Sequence, residues 1–432
     1  QILIKNLENF EEHLIKFDDE TYELSLSGQY EFDTDLIRIS YSSPITPSTI
    51  YDYNCKLRKK IHRKTQEIPS GHNSKDYICK RVMVKAHDDE EIPLTIFYHK
   101  NTKLDGKAPL LLYGYGSYGI TIPDNFSSNR FSLINRGFVY AVAHIRGGRE
   151  KGQEWYENGK LMNKKNTFLD FISCAEYLCK NNYTSKGKII AQGGSAGGLL
   201  MGYISNERPD LFLGIIAQVP FVDICNTMLD EDLPLTVTEI PEWGDLKKDQ
   251  EAFKYIKSYS PYDNVKKQNY PNMLITGGIT DPRVTYWEMT KWIAKLRDFK
   301  TDKNLIILDM NMDAGHSGAS GRYDYLNEVA LTYIFALKIS KKISPWKIKI
   351  HYYLIVIGRL ILGPIKSTCL TKEEKMSNAL SIFNQLRPVT VGYDNIFDHF
   401  EKMFEDDFFK SPSVNYPPYN KVKTGENQYN VE

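Results

Sequence analysis

The chain has 432 residues, 41% hydrophobic and 25% charged, the composition of a globular protein large enough for more than one folding unit. Its 55 basic and 54 acidic residues nearly cancel, so no global field would attract nucleic acid or a membrane. The six cysteines lack the spacing of a metal site or a disulfide framework. We therefore expect buried or surface thiols in a reducing compartment.

Residues 1–75 predict a small amount of β-structure. Apolar and polar side chains alternate over 22–26, 36–41 and 49–53, and turn residues separate these runs. So little sheet would not make a stable domain alone. The polar stretch 64–76 is predicted to be a linker.

Residues 76–339 show a different pattern and predict an α/β domain with a mostly parallel, doubly wound sheet. Continuous apolar runs alternate with helical periodicity, as expected of buried parallel strands that have helices on both faces. The predicted strands are 110–112, 139–143, 189–190, 213–217, 273–275 and 305–308, and the clearest predicted helices are 168–178 and 287–296.

Residues 340–432 fit neither pattern. The apolar run 352–365 is shorter than a membrane span, contains Arg359 and is interrupted by Gly358 and Pro364, so we do not expect it to cross a membrane. Residues 340–375 are predicted to be a linker.

The most informative motif is Gly193-Gly194-Ser195-Ala196-Gly197, which lies between an apolar run and a helix-like stretch. Gly-x-Ser-x-Gly in this context is the nucleophile elbow of α/β-hydrolases, in which small neighbours allow a sharp turn that exposes the serine hydroxyl. Without that context the same residues would be an ordinary loop, because glycine and serine are common in loops. The flanking strand and helix favour Ser195 as a nucleophile.

Two later loops supply a candidate base and its partner. Asp281 follows the strand 273–275, and His316, flanked by small residues, follows the strand 305–308. Alone, Asp281 is equally a turn former and His316 a loop histidine. Together with Ser195 they have the chain order of an α/β-hydrolase triad, which predicts that His316 takes the serine proton and Asp281 orients the imidazole.

Longer motifs around these residues resemble the prolyl oligopeptidase family of serine peptidases, and within it the oligopeptidase B group. The likeness extends from about residue 78 to 338, and the intervals between Ser195, Asp281 and His316 are close to those of the family. The motifs that carry it are Leu111–Gly119, His144–Gly148, Gly193–Gly198, Ala217–Asp223, Glu242–Gly244 and Ser258–Val265.

The resemblance implies roles for five further residues. The Tyr115 hydroxyl and the Ala196 backbone N–H would form the oxyanion hole. Glu239 would bind the basic P1 side chain of a substrate, with Phe221 in the wall of the same pocket. Arg283 stands where prolyl-specific relatives bind a substrate carbonyl, so it is a further candidate substrate-binding residue.

Two departures from the oligopeptidase B pattern concern the P2 subsite. The second acidic residue of the group, two positions after Glu239, is Pro241 here. The acidic pair that follows the Tyr-Gly-Tyr-Gly segment is replaced by Pro123 and Asn125, with Asp124 between them. The resemblance therefore leaves the preference at P2 open.

The two ends resemble parts of other folds. Family members carry a seven-bladed β-propeller before the hydrolase domain, and residues 1–75 resemble its last blade, so we expect a partial blade there. Residues 376–432 resemble the beginning of a bacterial small heat-shock protein, and we expect this segment to be truncated and poorly ordered.

The leading hypothesis is a cytoplasmic serine oligopeptidase that hydrolyses short peptides after Arg or Lys through an acyl-enzyme, with no metal or cofactor. A prolyl-specific or acylaminoacyl peptidase of the same family is one alternative. An inactive fragment or a chaperone-like binding protein is another, suggested by the partial propeller and the heat-shock-like end. The sequence leaves the oligomeric state open.

Overall fold

The computed structural model of the chain describes residues 1–28, 31, 33–321 and 323–341, and the backbone of 421–425 and 428–431. By its contacts the chain divides into two compact units. The first comprises Gln1–Ile365 with Val389–Gly392, and the second comprises Lys366–Pro388 with Tyr393–Glu432.

The described strands and helices are numbered in chain order. The strands are β1 (Ile2–Lys5), β2 (Glu12–Ile15), β3 (Glu23–Leu26), β4 (Leu36–Ser42), β5 (Thr49–Asn54), β6 (Lys59–Thr65), β7 (Tyr77–Lys85), β8 (Glu91–His99), β9 (Leu110–Tyr113), β10 (Val139–Ala143), β11 (Ile189–Gly194), β12 (Phe212–Gln218), β13 (Asn272–Gly278), β14 (Ile306–Asn311), β15 (Lys421–Gly425) and β16 (Gln428–Val431). The helices are α1 (Phe131–Ile134), α2 (Gln153–Glu157), α3 (Lys165–Lys180), α4 (Ala196–Glu207), α5 (Ile224–Leu229), α6 (Thr236–Trp243), α7 (Gln250–Lys257), α8 (Tyr286–Phe299) and α9 (Asp324–Ile339).

The second unit contributes one described element, the antiparallel hairpin of β15 and β16. The predicted linker 340–375 lies outside the described residues apart from 340–341. The predicted heat-shock-like segment 376–432 lies outside them apart from this hairpin.

The N-terminal part of the first unit is antiparallel β-structure. Strands β1 and β2 form a hairpin, and β3 to β6 form a four-stranded sheet in chain order. The three predicted strands are confirmed as β3, β4 and β5. Strand β6 was missed and its last residues were assigned to the linker, because most of its side chains are charged and exposed and show no apolar alternation.

An eight-stranded sheet forms the centre of the first unit, in the order β14-β13-β12-β11-β9-β10-β8-β7. The six strands from β14 to β10 pair in parallel, whereas β7 and β8 add an antiparallel edge. The prediction of a mostly parallel sheet is therefore confirmed, with β7 and β8 as an addition.

Helices cover both faces of this sheet and divide its core in two. Successive residues of a strand point to opposite faces, so Leu110 and Leu112 join one hydrophobic cluster and Leu111 joins the other. Helices α3, α4 and α8 pack on the first face, and α1 and α9 pack on the second. Each strand leucine here is fully buried, which stabilises the fold by about 1.5–3 kcal/mol per side chain.

The parallel strands end at a common edge, and the candidate site lies there. Strand β9 leads to Tyr115, β11 to Ser195, β13 to Asp281 and β14 to His316. Ligands of open α/β sheets bind at this carboxyl edge. Among the described residues, no helix is both long and apolar enough to cross a membrane.

A buried polar cluster joins the N-terminal sheet to the α/β part. The Asp124 carboxylate accepts hydrogen bonds from Thr21 and Arg81 and lies 3.5 Å from Nε2 of His144. The Asp124 backbone N–H donates to Glu23 at 3.1 Å. Burial alone would raise the pKa of Asp124, but His144, Arg81 and Thr21 outweigh it and lower that pKa to about 2.

Candidate active site

Ser195 lies on the sharp turn between β11 and α4. Its backbone has φ +55° and ψ −119°, a region that residues other than glycine rarely adopt. Its N–H donates to the Gln218 carbonyl at 2.8 Å. The turn is tight because the chain nearly touches itself: a Cβ on Gly193 would lie 2.5 Å from the Gly197 carbonyl oxygen. The sequence motif thus adopts the conformation of a nucleophile elbow.

Three predicted site residues from three strand ends form a continuous hydrogen-bonded series. Nε2 of His316 lies 3.1 Å from Oγ of Ser195, and Nδ1 of His316 lies 2.8 Å from Oδ2 of Asp281. The other oxygen, Oδ1, accepts the backbone N–H groups of Arg283 and Val284 at 2.8 and 3.0 Å. These bonds fix an almost completely buried carboxylate behind a ring that is still 14% exposed.

The loop that carries His316 is held at both ends by one side chain of α9. Oε1 of Glu328 accepts hydrogen bonds from the Asn311 side chain at 3.0 Å and from the Ala319 backbone at 3.1 Å. The imidazole is therefore oriented by Asp281 and its loop is closed by Glu328.

A cavity of about 380 Å³ opens beside Ser195. All of the predicted site residues line it except Asp281, which lies behind His316. Its lining residues are Tyr115, Tyr118, Ile120, Ser195, Ala196, Phe221, Thr227, Met228, Leu233, Pro234, Leu235, Thr236, Glu239, Pro282, Arg283, Val284, Thr285 and His316.

Two hydrogen-bond donors flank the serine. Ala196 is the first residue of α4, where a backbone N–H has no partner within the helix. Tyr115 lines the same cavity from the loop after β9, and burial raises the pKa of its hydroxyl to about 12. The phenol is therefore a neutral donor at physiological pH, and both groups are suited to stabilise an oxyanion.

Glu239 of α6 brings a carboxylate to the cavity wall. Its Oε2 accepts hydrogen bonds from the Tyr118 hydroxyl at 2.9 Å and from the Trp243 indole at 2.8 Å. Both bonds go to Oε2, and within the described part of the chain no hydrogen bond occupies Oε1. Phe221, which is 5% exposed, lies 5.4 Å from Trp243 between ring centroids and forms an apolar wall.

Sequence reasoning missed Tyr118, Trp243 and Glu242, which hold the pocket together. Glu242 is buried and accepts the Tyr118 backbone N–H at 2.9 Å and the Tyr156 hydroxyl at 2.6 Å. Tyr118 itself has φ +57°, a strained backbone that these bonds keep in place. The signal was present, because all three lie inside motifs that carried the family resemblance.

The positions that depart from the oligopeptidase B pattern lie in different surroundings. Pro241 is inside α6, and Asp124 belongs to the buried cluster under the N-terminal sheet. Arg283 is exposed at the cavity, and its positive charge counteracts part of the rise in the pKa of Tyr115. Within the described part of the chain, no group of three or more His, Cys, Asp or Glu side chains is arranged to hold a metal ion.

Comparisons with known proteins agree with this geometry. Residues 124–342 match the prolyl oligopeptidase family. Dipeptidyl aminopeptidase BI of Pseudoxanthomonas mexicana is 46% identical over 75% of this chain and 44% of its own length. The chain spans about half the length of the curated relatives it matches.

Solved structures show the same relationship. Oligopeptidase B from Leishmania major has a TM-score of 0.73 and 39% identity over 79% of this chain and 48% of its own. The Trypanosoma brucei enzyme, described with covalently bound antipain in a closed form, has a TM-score of 0.72 and 43% identity over 76% and 46%. With the elbow, the ordered series of Ser, His and Asp, and the match over half of its length, the chain belongs to the prolyl oligopeptidase family.

Proposed function

We propose that the chain is a serine peptidase that hydrolyses short peptides through an acyl-enzyme on Ser195. The observation that carries this proposal is the Ser195-His316-Asp281 series, with distances of 3.1 and 2.8 Å, whose serine and histidine line the cavity. Nucleophile, base and orienting carboxylate are thus within hydrogen-bonding reach of one another, as acyl transfer requires.

The reaction follows from these contacts. Nε2 of His316 accepts the hydroxyl proton while Oγ of Ser195 attacks the scissile carbonyl carbon. The Tyr115 hydroxyl and the Ala196 N–H stabilise the oxyanion, and Asp281 stabilises the imidazolium. The C–N bond breaks, the amine leaves with the proton from His316, and an ester to Ser195 remains. His316 then deprotonates a water molecule that hydrolyses the ester.

We infer a preference for Arg or Lys at P1. What supports it is the carboxylate of Glu239, which is braced by Tyr118 and Trp243 in a cavity with an apolar wall. A guanidinium or ammonium would form charge-assisted hydrogen bonds with the available oxygen, while the side-chain stem packs against Phe221.

The relatives bring a second candidate. The 46% identical relative is named a dipeptidyl aminopeptidase, so release of dipeptides from a free N-terminus is the competing specificity. Comparing kcat/KM for peptide amides that end in Arg, Lys or Pro, each with a free and a blocked N-terminus, separates this activity from endopeptidase and prolyl-specific cleavage.

A fluorophosphonate probe tests the proposal directly. The full chain should react with the probe at Ser195 and hydrolyse a chromogenic peptide that ends in Arg, whereas Ser195→Ala should do neither. The matched control is Ser185→Ala, because this serine lies in a turn before β11, away from the cavity. Equal labelling of the parent and Ser195→Ala, or no reaction of a folded parent chain, would contradict it.

We also propose that β3 to β6 are the last blade of a family propeller and that the protein is cytoplasmic. Four antiparallel strands in chain order support the first inference. The described cysteines are free thiols, which agrees with a reducing compartment. A six-blade fragment of the trypanosomal relative should bind the chain, and cell fractionation should place it in the cytoplasm. Absence of binding would contradict the propeller blade, and recovery outside the cytoplasm would contradict the location.

A further inference from the structure

A buried lysine lies beneath the segment that carries Tyr115. Lys164 immediately precedes α3 and is 0% exposed. Its ammonium donates to the Gly116 carbonyl at 2.6 Å and to Oγ of Ser117 at 2.7 Å. Among the described residues Lys164 forms no ion pair with a carboxylate. The triad mechanism gives this side chain no role.

An opposite charge holds the next residue of the same segment. Glu242 is also buried, and it accepts the backbone N–H of Tyr118. Burial lowers the pKa of Lys164 to about 8, and the nearby Glu242 counteracts part of that effect. Lys164 is therefore protonated at neutral pH. A buried cation and a buried anion thus hold three consecutive residues, Gly116 to Tyr118.

The contacts of Gly116 explain why this position needs such support. Gly116 has φ +70°, and its carbonyl oxygen packs so closely on Gly147 that a Cβ there would lie 2.0 Å away. Burying an ammonium is costly unless hydrogen bonds compensate for the water that it loses. Here the ammonium of Lys164 holds the carbonyl of Gly116, the residue after Tyr115, through a charge-assisted bond. Such bonds are about twice as strong as neutral ones.

We propose that Lys164 is a positioning residue for Tyr115. By holding the Gly116 carbonyl and the Ser117 hydroxyl, its ammonium keeps the Tyr115 phenol directed at the oxyanion that forms on the substrate carbonyl oxygen when Ser195 attacks. This inference rests on the proposed peptidase function. A purely structural role would not single out one step of the reaction. In this proposal Lys164 affects stabilisation of the transition state, and it does so through the Tyr115 side chain.

A second contact offers a competing explanation that the test has to separate. The ammonium also lies 5.1 Å from the centre of the Trp243 ring, and Trp243 donates to Glu239. If Lys164 acted mainly through Trp243, its loss would change selectivity for basic substrates. If it acts through Tyr115, removing it would lower kcat/KM by the same factor for basic and neutral substrates.

The experiment uses the full chain and the variants Lys164→Met and Lys165→Met. Lys165 is the matched control, since its ammonium lies 5.5 Å from the centre of the Tyr255 ring and, among the described residues, forms no hydrogen bond with the Tyr115 segment. For Lys164→Met we expect kcat to fall about 10- to 100-fold with KM nearly unchanged, as for a misplaced oxyanion donor. The ratio of kcat/KM for Arg-ending and Ala-ending peptides should stay constant. Lys165→Met should match the parent.

A double-mutant cycle gives the decisive readout. Because Lys164 acts through the phenol, Lys164→Met should cost little further activity in a Tyr115→Phe background. Equal losses in both backgrounds, an unchanged kcat, or a changed Arg-to-Ala ratio would overturn the proposal.

Folding and function are checked separately. If thermal melting shows that Lys164→Met does not fold, Ser117→Ala replaces it and should lower kcat about 3- to 10-fold, because one of two charge-assisted bonds is lost. A parent-like kcat for folded Ser117→Ala would then overturn the inference. A parent chain that is folded but does not react with a fluorophosphonate would instead overturn the proposed function.

Discussion

Glu239 combines a braced carboxylate with an available oxygen, and this combination is what a cation-binding pocket needs. The hydrogen bonds from Tyr118 and Trp243 orient the carboxylate before a ligand arrives, so less conformational entropy is lost on binding. The triad does not depend on this residue. Chemistry at Ser195 and selection of the P1 side chain should therefore respond separately to mutation.

We predict that Glu239→Gln lowers the kcat/KM ratio of Arg-ending to Ala-ending peptides about 10- to 100-fold, because the pocket loses a charge-assisted bond. The amide is isosteric, so labelling of Ser195 by a fluorophosphonate should continue. Glu251→Gln is the control, since this glutamate is exposed on α7. Steady-state kinetics with paired substrates measures the ratio. A ratio equal to that of the parent would assign P1 selection to other residues.

At the scale of elements, the two glycines that precede Ser195 in the elbow have different surroundings. A Cβ on Gly193 would meet the backbone of Gly197 at 2.5 Å, whereas a Cβ on Gly194 would meet its nearest atom, the Gln218 carbonyl oxygen, at 3.4 Å. The backbone of the turn is held by β11 on one side and by α4 on the other. Only the first glycine is therefore required by space.

Alanine at the two positions should have unequal effects. We expect Gly193→Ala to lower the free energy of unfolding by about 1–3 kcal/mol, since the clash is with backbone that has no room to move. Gly194→Ala should change it by less than about 1 kcal/mol. Urea unfolding of both variants beside the parent measures this difference. Equal stabilities would mean that the turn relaxes freely.

Elements and residues with local sequence signals were predicted from the sequence, whereas contacts between distant segments were not. Strand β10 was predicted to the residue, and Ser195, Asp281 and His316 were found together, because strand ends and chain order are local features. Tyr118 and Glu239 are 121 residues apart in sequence, so their contact left no local trace. Strand β7, half-exposed at the antiparallel edge, lacks the continuous apolar run of a buried strand.

At the scale of the whole molecule, the Asp124 cluster couples the N-terminal sheet to the catalytic part. Its carboxylate contacts Thr21 on one side and Arg81 and His144 on the other. The loop that carries Asp124 also carries Tyr115, nine residues earlier in the chain. Acid should weaken this joint between the two parts before it affects the hydrophobic core.

The pH dependence of that joint has a definite sign. The pKa of Asp124 is about 2 in the folded chain and about 3.9 in an unfolded one, so its stabilisation, about 2 kcal/mol, is complete above pH ~5 and lost as pH falls towards 2. Asp124→Asn should remove this part of the pH dependence and destabilise the chain at pH 7. Urea unfolding from pH 2.5 to 7 measures both, with the exposed Asp232→Asn as control. A parallel pH profile for parent and Asp124→Asn would contradict the assignment.

The strained backbone of Ser195 has a consequence for the balance between durability and reactivity. A φ of +55° at a residue with a side chain costs about 1–3 kcal/mol, and alanine would retain this cost while glycine would relieve it. Ser195→Gly should therefore melt at a higher temperature than Ser195→Ala, although both lack the nucleophile. A selection for heat resistance alone would discard the residue on which the proposed chemistry depends, so thermal stability and reactivity compete at a single dihedral angle.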